Sequence, residues 1–199
     1  AGNTFTSTVS FTVDNTAPVL SVDALPAGFT TNTNALVITG SVSDANLSGY
    51  YYQILDANKT PIGEPIFGGS QAVSAGPLFS ADISGLADGT YYVSVWAYDQ
   101  AGNTTSPGEE RFEAPYIASF TVDRTAPAVT VGSVFTYTTG TTQVVSGTAD
   151  VDATISLYVG ATLVADDITP NASGVWSYTL SPARSIGTYQ LSVVARDAF

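Results

Sequence analysis

The stretch "GTYYVSVWAYD" at residues 89–99 decides the fold. Tyr91, Val93, Val95 and Ala97 fall on one face at period two, and Tyr92, Ser94, Trp96 and Tyr98 fall on the other. Strict alternation in a run of β-branched and aromatic residues predicts a strand. "TSTVSFTV" (6–13) has the same pattern, with Val9, Phe11 and Val13 on one side and Thr8, Ser10 and Thr12 on the other. Turn signals such as "DANLSG", "LADGT" and "DQAGN" separate such runs. No helical stripe longer than two turns interrupts them. Short strands with turns roughly every 8–12 residues predict β-sandwiches.

The deciding stretch also occurs twice. "GTYQLSVVARD" at 187–197 aligns with 89–99, so that Tyr91 matches Tyr189, Val93 matches Leu191, Val95 matches Val193, Ala97 matches Ala195 and Asp99 matches Asp197. "FTVDNTAP" (11–18) returns as "FTVDRTAP" (120–127), "AGNT" (1–4) returns at 101–104, and "ITGSVSD" (38–44) corresponds loosely to "VSGTAD" (145–150). Two sandwiches follow. In the first full repeat the order is strand, "DQAGNT", strand, "VDRTAP", next domain. Residues 1–16 therefore read as a single unpaired strand and linker, the last strand of a preceding or neighbouring sandwich. Residues 17–123 read as a complete domain, and 124–199 as a domain lacking its last strand.

Composition narrows the functions. Hydrophobic residues make up 44% of the 199 and aromatics 11%, enough for packed cores rather than global disorder. No apolar run approaches the roughly 18 residues of a membrane helix. The five cations (Lys59, Arg111, Arg124, Arg184 and Arg196) face 17 acids, for a net charge of −12. Such a surface repels nucleic acid and anionic lipid and favours hard cations. Histidine and cysteine are absent, so no nucleophile–base triad can be drawn and no disulfide exists. Glu64, Glu109, Glu110 and Glu113 read as a solvated acidic edge rather than a glycosidase pair. Lys59, in the turn "DANKTP", reads as a surface residue rather than an isopeptide donor. The chain is therefore not expected to be an enzyme. Lacking Met and opening on Ala1, it reads as matured or as part of something longer. Sequons stand at Asn46, Asn58, Asn103 and Asn171, little above chance for so Ser/Thr-rich a chain.

The motifs "FTVDNTAP" and "FTVDRTAP", "ADGTYYVSVWAYDQAGNT", and "VSGTADVDATISLYV" with "GVWSYTL" resemble the bacterial Ig-like repeats of large surface adhesins and related cell-envelope proteins. The resemblance covers nearly the whole chain. It implies two tandem Ig-like Greek-key β-sandwiches, an extracellular place on a prokaryote, a rod-like array without catalysis, and in some members calcium at domain junctions. Residues 56–80 are longer and less regular than a typical repeat, and the second repeat ends early.

In an Ig-type sandwich the entry segment and the loops after the second and sixth strands share one pole. In the first domain these carry Asp14, Asp44 with Asn46, and Asp99 with Asn103. In the second they carry Asp123, Asp150 with Asp152, and Asp197. Three massed carboxylates suit a structural Ca²⁺ ion, which takes 6–8 oxygens. The competing reading is that Asp and Asn serve these loops as turn formers.

Tyr92, Trp96 and Tyr98, with Tyr51 from a neighbouring strand, form an aromatic group confined to the first domain. Either residues 56–80 fold over it, or it contacts another subunit or stacks on cell-surface glycans. A glycan-binding module, or an accessory module of a secreted carbohydrate-active enzyme, is the alternative reading of the whole chain.

Finally, the leading strand presents Phe5, Val9, Phe11 and Val13 to nothing in its own domain. Two accounts fit. The chain is a segment of a longer array, or it is a filament subunit in which residues 1–13 complete residues 126–199 of the next copy by head-to-tail strand donation.

Overall fold

The computed structural model describes residues 2–105, 116–132, 143–182, 184–185 and 187–197. Among them every regular element is a strand, and the chain divides into two compact units, Ala1–Asp123 and Arg124–Phe199. Arg111, Glu109, Glu110 and Glu113 lie outside the described residues.

The first unit holds eight strands: β1 (Val19–Val22), β2 (Thr30–Thr31), β3 (Ala35–Ser43), β4 (Leu47–Leu55), β5 (Pro61–Gly69), β6 (Val73–Asp82), β7 (Gly89–Asp99) and β8 (Ile117–Val122). One sheet has the order β1-β3-β6 and the other β2-β8-β7-β4-β5. The pairs are antiparallel except β2 with β8, which run parallel. The chain passes between the two sheets in the immunoglobulin manner, staying within one sheet only at β4–β5 and β7–β8, and β7 lies between β4 and β8.

The alternation in 89–99 sets the core. Val93, Val95 and Ala97 are fully buried, joined by Tyr50, Tyr52 and Ile54 of β4 and by Phe120 and Val122 of β8. Leu20, Leu36, Ile38, Val42, Leu78 and Ala81 come from the three-stranded sheet. Tyr52 stacks on Phe79 with centroids 4.0 Å apart and rings 4° from parallel, and the Tyr50 hydroxyl donates to the Leu78 carbonyl at 2.8 Å. Both contacts fasten β4 of one sheet to β6 of the other.

Residues 56–80 differ from the sequence expectation. They are not an irregular insertion but β5 and most of β6. β5 extends the five-stranded sheet as its edge, where Pro61 and Pro65 are tolerated because no further strand needs their missing N–H groups.

The second unit repeats the plan with fewer strands: β9 (Val144–Thr148), β10 (Thr154–Val159), β11 (Thr162–Ile168), β12 (Val175–Thr179) and β13 (Leu191–Arg196). Its sheets are β12-β9 and β11-β10-β13. Residues 129–132 run beside β9: Val129 bridges Ala149, while the Thr130 and Gly132 N–H groups donate to the Thr148 and Ser146 carbonyls. Val145, Ile155, Leu157, Trp176 and Leu180 form the core, and the Trp176 indole N–H donates to the Thr130 carbonyl at 3.1 Å.

Gly40 and Gly147, matched by the repeat, share one steric reason. A Cβ on Gly40 would collide with the Ser21 carbonyl oxygen, and one on Gly147 with that of Thr130. In the first unit β1 passes so close over β3, and in the second residues 129–132 pass so close over β9, that only glycine fits.

Among the described residues, 2–18 form no strand, and Phe5, Val9, Phe11 and Val13 stand exposed.

Candidate functional site

Three segments of the first unit meet around Asp14, Asp44 and Asp99. Asp14 follows the leading segment, Asp44 opens the β3–β4 turn, and Asp99 ends β7. One carboxylate oxygen from each lies within 4.8 Å of the others. Asp99 is buried, and Asp14 and Asp44 are half-buried.

Turn chemistry builds the loops. Asp44 accepts the Asn46 N–H at 2.7 Å, and Asp99 accepts the Asn103 N–H at 2.7 Å. Both are side-chain-to-backbone turns of the kind Asp favours. The two asparagines then tie the segments together. The Asn46 amide donates to Asp14 Oδ2 at 2.9 Å. The Asn103 amide nitrogen is surrounded by Asp99 Oδ2 at 2.6 Å, the Asp14 carbonyl at 3.0 Å and the Thr16 carbonyl at 3.3 Å. The Thr16 N–H on Asp14 Oδ1, seconded by Asn46, holds the Asp14 carboxyl below the usual carboxylate range.

Among the described residues of the first unit, no lysine or arginine is ion-paired with this group. Lys59, the first unit's only described lysine or arginine, sits 5.8 Å from the Tyr92 ring centroid. Arg196, in the second unit, pairs with Asp166 at 2.9 Å and Asp167 at 3.2 Å. Three carboxylates whose oxygens lie within 4.8 Å of one another are a donor set that fits a hard divalent cation.

The residues of the second set divide between the two units. The Asp150 carboxylate accepts the Ala128 N–H at 2.8 Å, Asp152 is exposed, and Asp197 is half-buried at the end of β13. Asp123 belongs to the first unit, where its N–H donates to the Thr31 carbonyl.

The aromatic group is rearranged relative to the sequence reading. Tyr51 lies opposite Trp96 in the β4–β7 ladder and stacks on it at 6.1 Å. Tyr98 and Phe67 meet Tyr51 edge-on at 6.0 and 5.3 Å. Phe67, from β5, was not anticipated, because its Gly- and Pro-rich surroundings hide the strand. Trp96 is buried, and Phe67 and Pro65 of the 56–80 segment lie on the same side as Tyr51. Tyr92 stands apart under Lys59. A recess of about 340 Å³ is lined by Ser48, Tyr51, Pro65, Trp96 and Tyr98.

No protein-family model matches the chain, and a search of curated proteins finds no match either. Solved structures do match. A tetra-tandem repeat from the extending region of a large adhesion protein is 24% identical over 91% of this chain and 48% of its own, with a TM-score of 0.35. The BSP domain of a biofilm-associated protein is 16% identical over 92% of this chain and 27% of its own, with a TM-score of 0.29. A 1.5-MDa bacterial ice-binding adhesin is 14% identical over 92% of this chain and 65% of its own, with a TM-score of 0.36. The chain spans less than two thirds of the length of each.

Proposed function

We propose that this chain is a structural, non-catalytic module of a prokaryotic cell surface, a unit of a tandem array or filament in which residues 1–13 of one molecule complete the sandwich at 126–199 of the next. One observation carries the reading. Phe11 and Val13 are 85% and 68% exposed, whereas their repeat counterparts Phe120 and Val122 are 1% and 0% exposed inside β8. The same phrase is thus core in one copy and bare in the other. Burying Phe5, Val9, Phe11 and Val13 would contribute roughly 1.5–3 kcal/mol each.

Calcium belongs to the same proposal. Bound at Asp14, Asp44 and Asp99, the ion would supply positive charge to these clustered oxygens. Asn46 and Asn103 hold the segment after the donated strand against the β3–β4 turn and the end of β7, and so fix where that strand departs.

Sedimentation velocity over a concentration series tests the reading. The wild-type chain should associate, and Phe11→Ser with Val13→Ser should stay monomeric. Both side chains are exposed, so the change leaves the fold of one molecule alone and does not alter net charge. A wild-type chain that remains monomeric at every concentration refutes strand donation.

A further inference from the structure

The internal repeat fixes how a donated strand would seat. In the first unit β8 runs antiparallel to β7 with Tyr91 opposite Phe120, Gly89 opposite Val122 and Val93 opposite Ala118. Both partners recur in sequence, β7 as 187–197 and β8 as 8–13. Resting on the strand-donation reading above, we propose that the open side of β13 accepts residues 8–13 of a second copy of this chain, antiparallel, with Val13 opposite Gly187, Phe11 opposite Tyr189 and Val9 opposite Leu191.

The acceptor has the form of β7 without its partner. Among the described residues β13 is hydrogen-bonded only to β10, where β7 has a strand on each side. Leu191, Val193 and Ala195 are half-buried, while the matching Val93, Val95 and Ala97 are fully buried. β7 begins at Gly89, but β13 begins at Leu191 rather than at the matching Gly187. Residues 89–94 of β7 lie against β8, and 89–91 of them pair with β8 alone, so the shorter β13 lacks the stretch of ladder that a donated strand would restore.

The contact surface is already shaped. The Tyr91 ring lies by Gly89 and meets Phe120 at 5.8 Å. The Tyr189 ring lies by Gly187 in the same manner, 3.4–3.5 Å from where a Cβ would stand, yet it remains 44% exposed. In the proposed register Phe11 meets Tyr189 as Phe120 meets Tyr91. Thr8, Ser10 and Thr12 then face outward opposite Ser192, Gln190 and Thr188, a polar row against a polar row. A shift by one residue would turn Phe11 and Val13 to solvent. The second copy is the occupant because the donor residues are bare in their own molecule and repeat the sequence of β8.

The chain contains no cysteine, so introduced thiols are the only ones present. Directly opposed residues of an antiparallel pair have Cα atoms about 4.5–5.5 Å apart, within disulfide reach. A Ser10→Cys chain mixed with a Gln190→Cys chain under mild oxidation should give a covalent dimer. Ser10→Cys with Ser192→Cys, one step out of register, should give at least about tenfold less. Preferential linkage at Ser192 overturns the register. So does an absence of both linkages while association sensitive to Phe11→Ser/Val13→Ser persists, which leaves strand donation standing. Loss of association altogether refutes the underlying reading as well. A Ser10→Cys/Gln190→Cys double variant that closes on itself at high dilution overturns the second copy as occupant.

Discussion

Replacing Gly40 with alanine should unfold the first unit selectively. The new methyl would collide with the Ser21 carbonyl and lie 3.0 Å from Val22 Cα and 3.1 Å from Leu78 Cδ1. The leucine tip can move, but the β1 backbone cannot move without breaking its pairing of Val22 with Gly40 and Ser21 with Ser41. Overpacking alone costs about 1–3 kcal/mol. If β1 peels away, exposure of the buried Leu20 costs a further ~1.5–3 kcal/mol. The sum, about 2.5–6 kcal/mol, is a large part of the ~5–15 kcal/mol that holds a domain together. At about 4 °C or more per kcal/mol for a domain near 100 residues, the first transition should fall by ~10 °C or more. Each unit has one tryptophan, Trp96 or Trp176, so fluorescence melts of single-tryptophan variants separate the two transitions. Gly147→Ala should act on the second unit in the same way, and more severely, since its methyl meets both the Thr130 carbonyl and the indole that bonds to it. Gly85→Ala, with open space around it, is the control. A Gly40→Ala protein whose first transition moves no more than the control would refute the close approach of β1.

Millimolar calcium should raise the first transition and leave the second unchanged, by about 2.7 kcal/mol when the ion is at a hundredfold excess over its Kd. Chelation should reverse the gain, and Asp99→Asn should remove it; an equal rise in Asp99→Asn would place any bound ion elsewhere. Asp14 has its folded pKa lowered from 3.8, so its hold on Thr16 and Asn46 is complete above that value and is lost as pH falls through the lower folded value. Following the Asn46 side-chain amide by NMR during acid titration should give a midpoint below 3.8, and a midpoint above it contradicts the assignment.

Alternation made the core of the first unit readable. Val93, Val95 and Ala97 occupy the face that period two assigns them, because a strand's two faces are fixed once one is known. It did not reveal whether the opposite face is covered, and so the cover and the open contact face stood as alternatives for Trp96. Burial of an outer face depends on neighbours distant in the chain. β5 was illegible for a local reason: Pro61, Gly63, Pro65, Gly68 and Gly69 break the period that identifies a strand, and only an edge position tolerates them. The meeting of Asp14, Asp44 and Asp99 followed from topology, since three loops at one pole must converge. The roles of Asn46 and Asn103 as cross-braces did not, because an asparagine in a turn is equally well explained by the turn.

The parallel pairing of β2 with β8 has a mechanical consequence. The chain enters the first unit ahead of β2 and leaves it after β8, and these strands lie side by side in the same direction. Once β1 has parted from β3, tension on the two ends slides them past each other. The bonds between them, Thr121 N–H to the Phe29 carbonyl and Asp123 N–H to the Thr31 carbonyl, then bear load together instead of parting one after another. A tethered surface protein under flow would meet shear where a hairpin would unzip, and a pulling experiment in which this unit opened at hairpin-like forces would contradict that geometry.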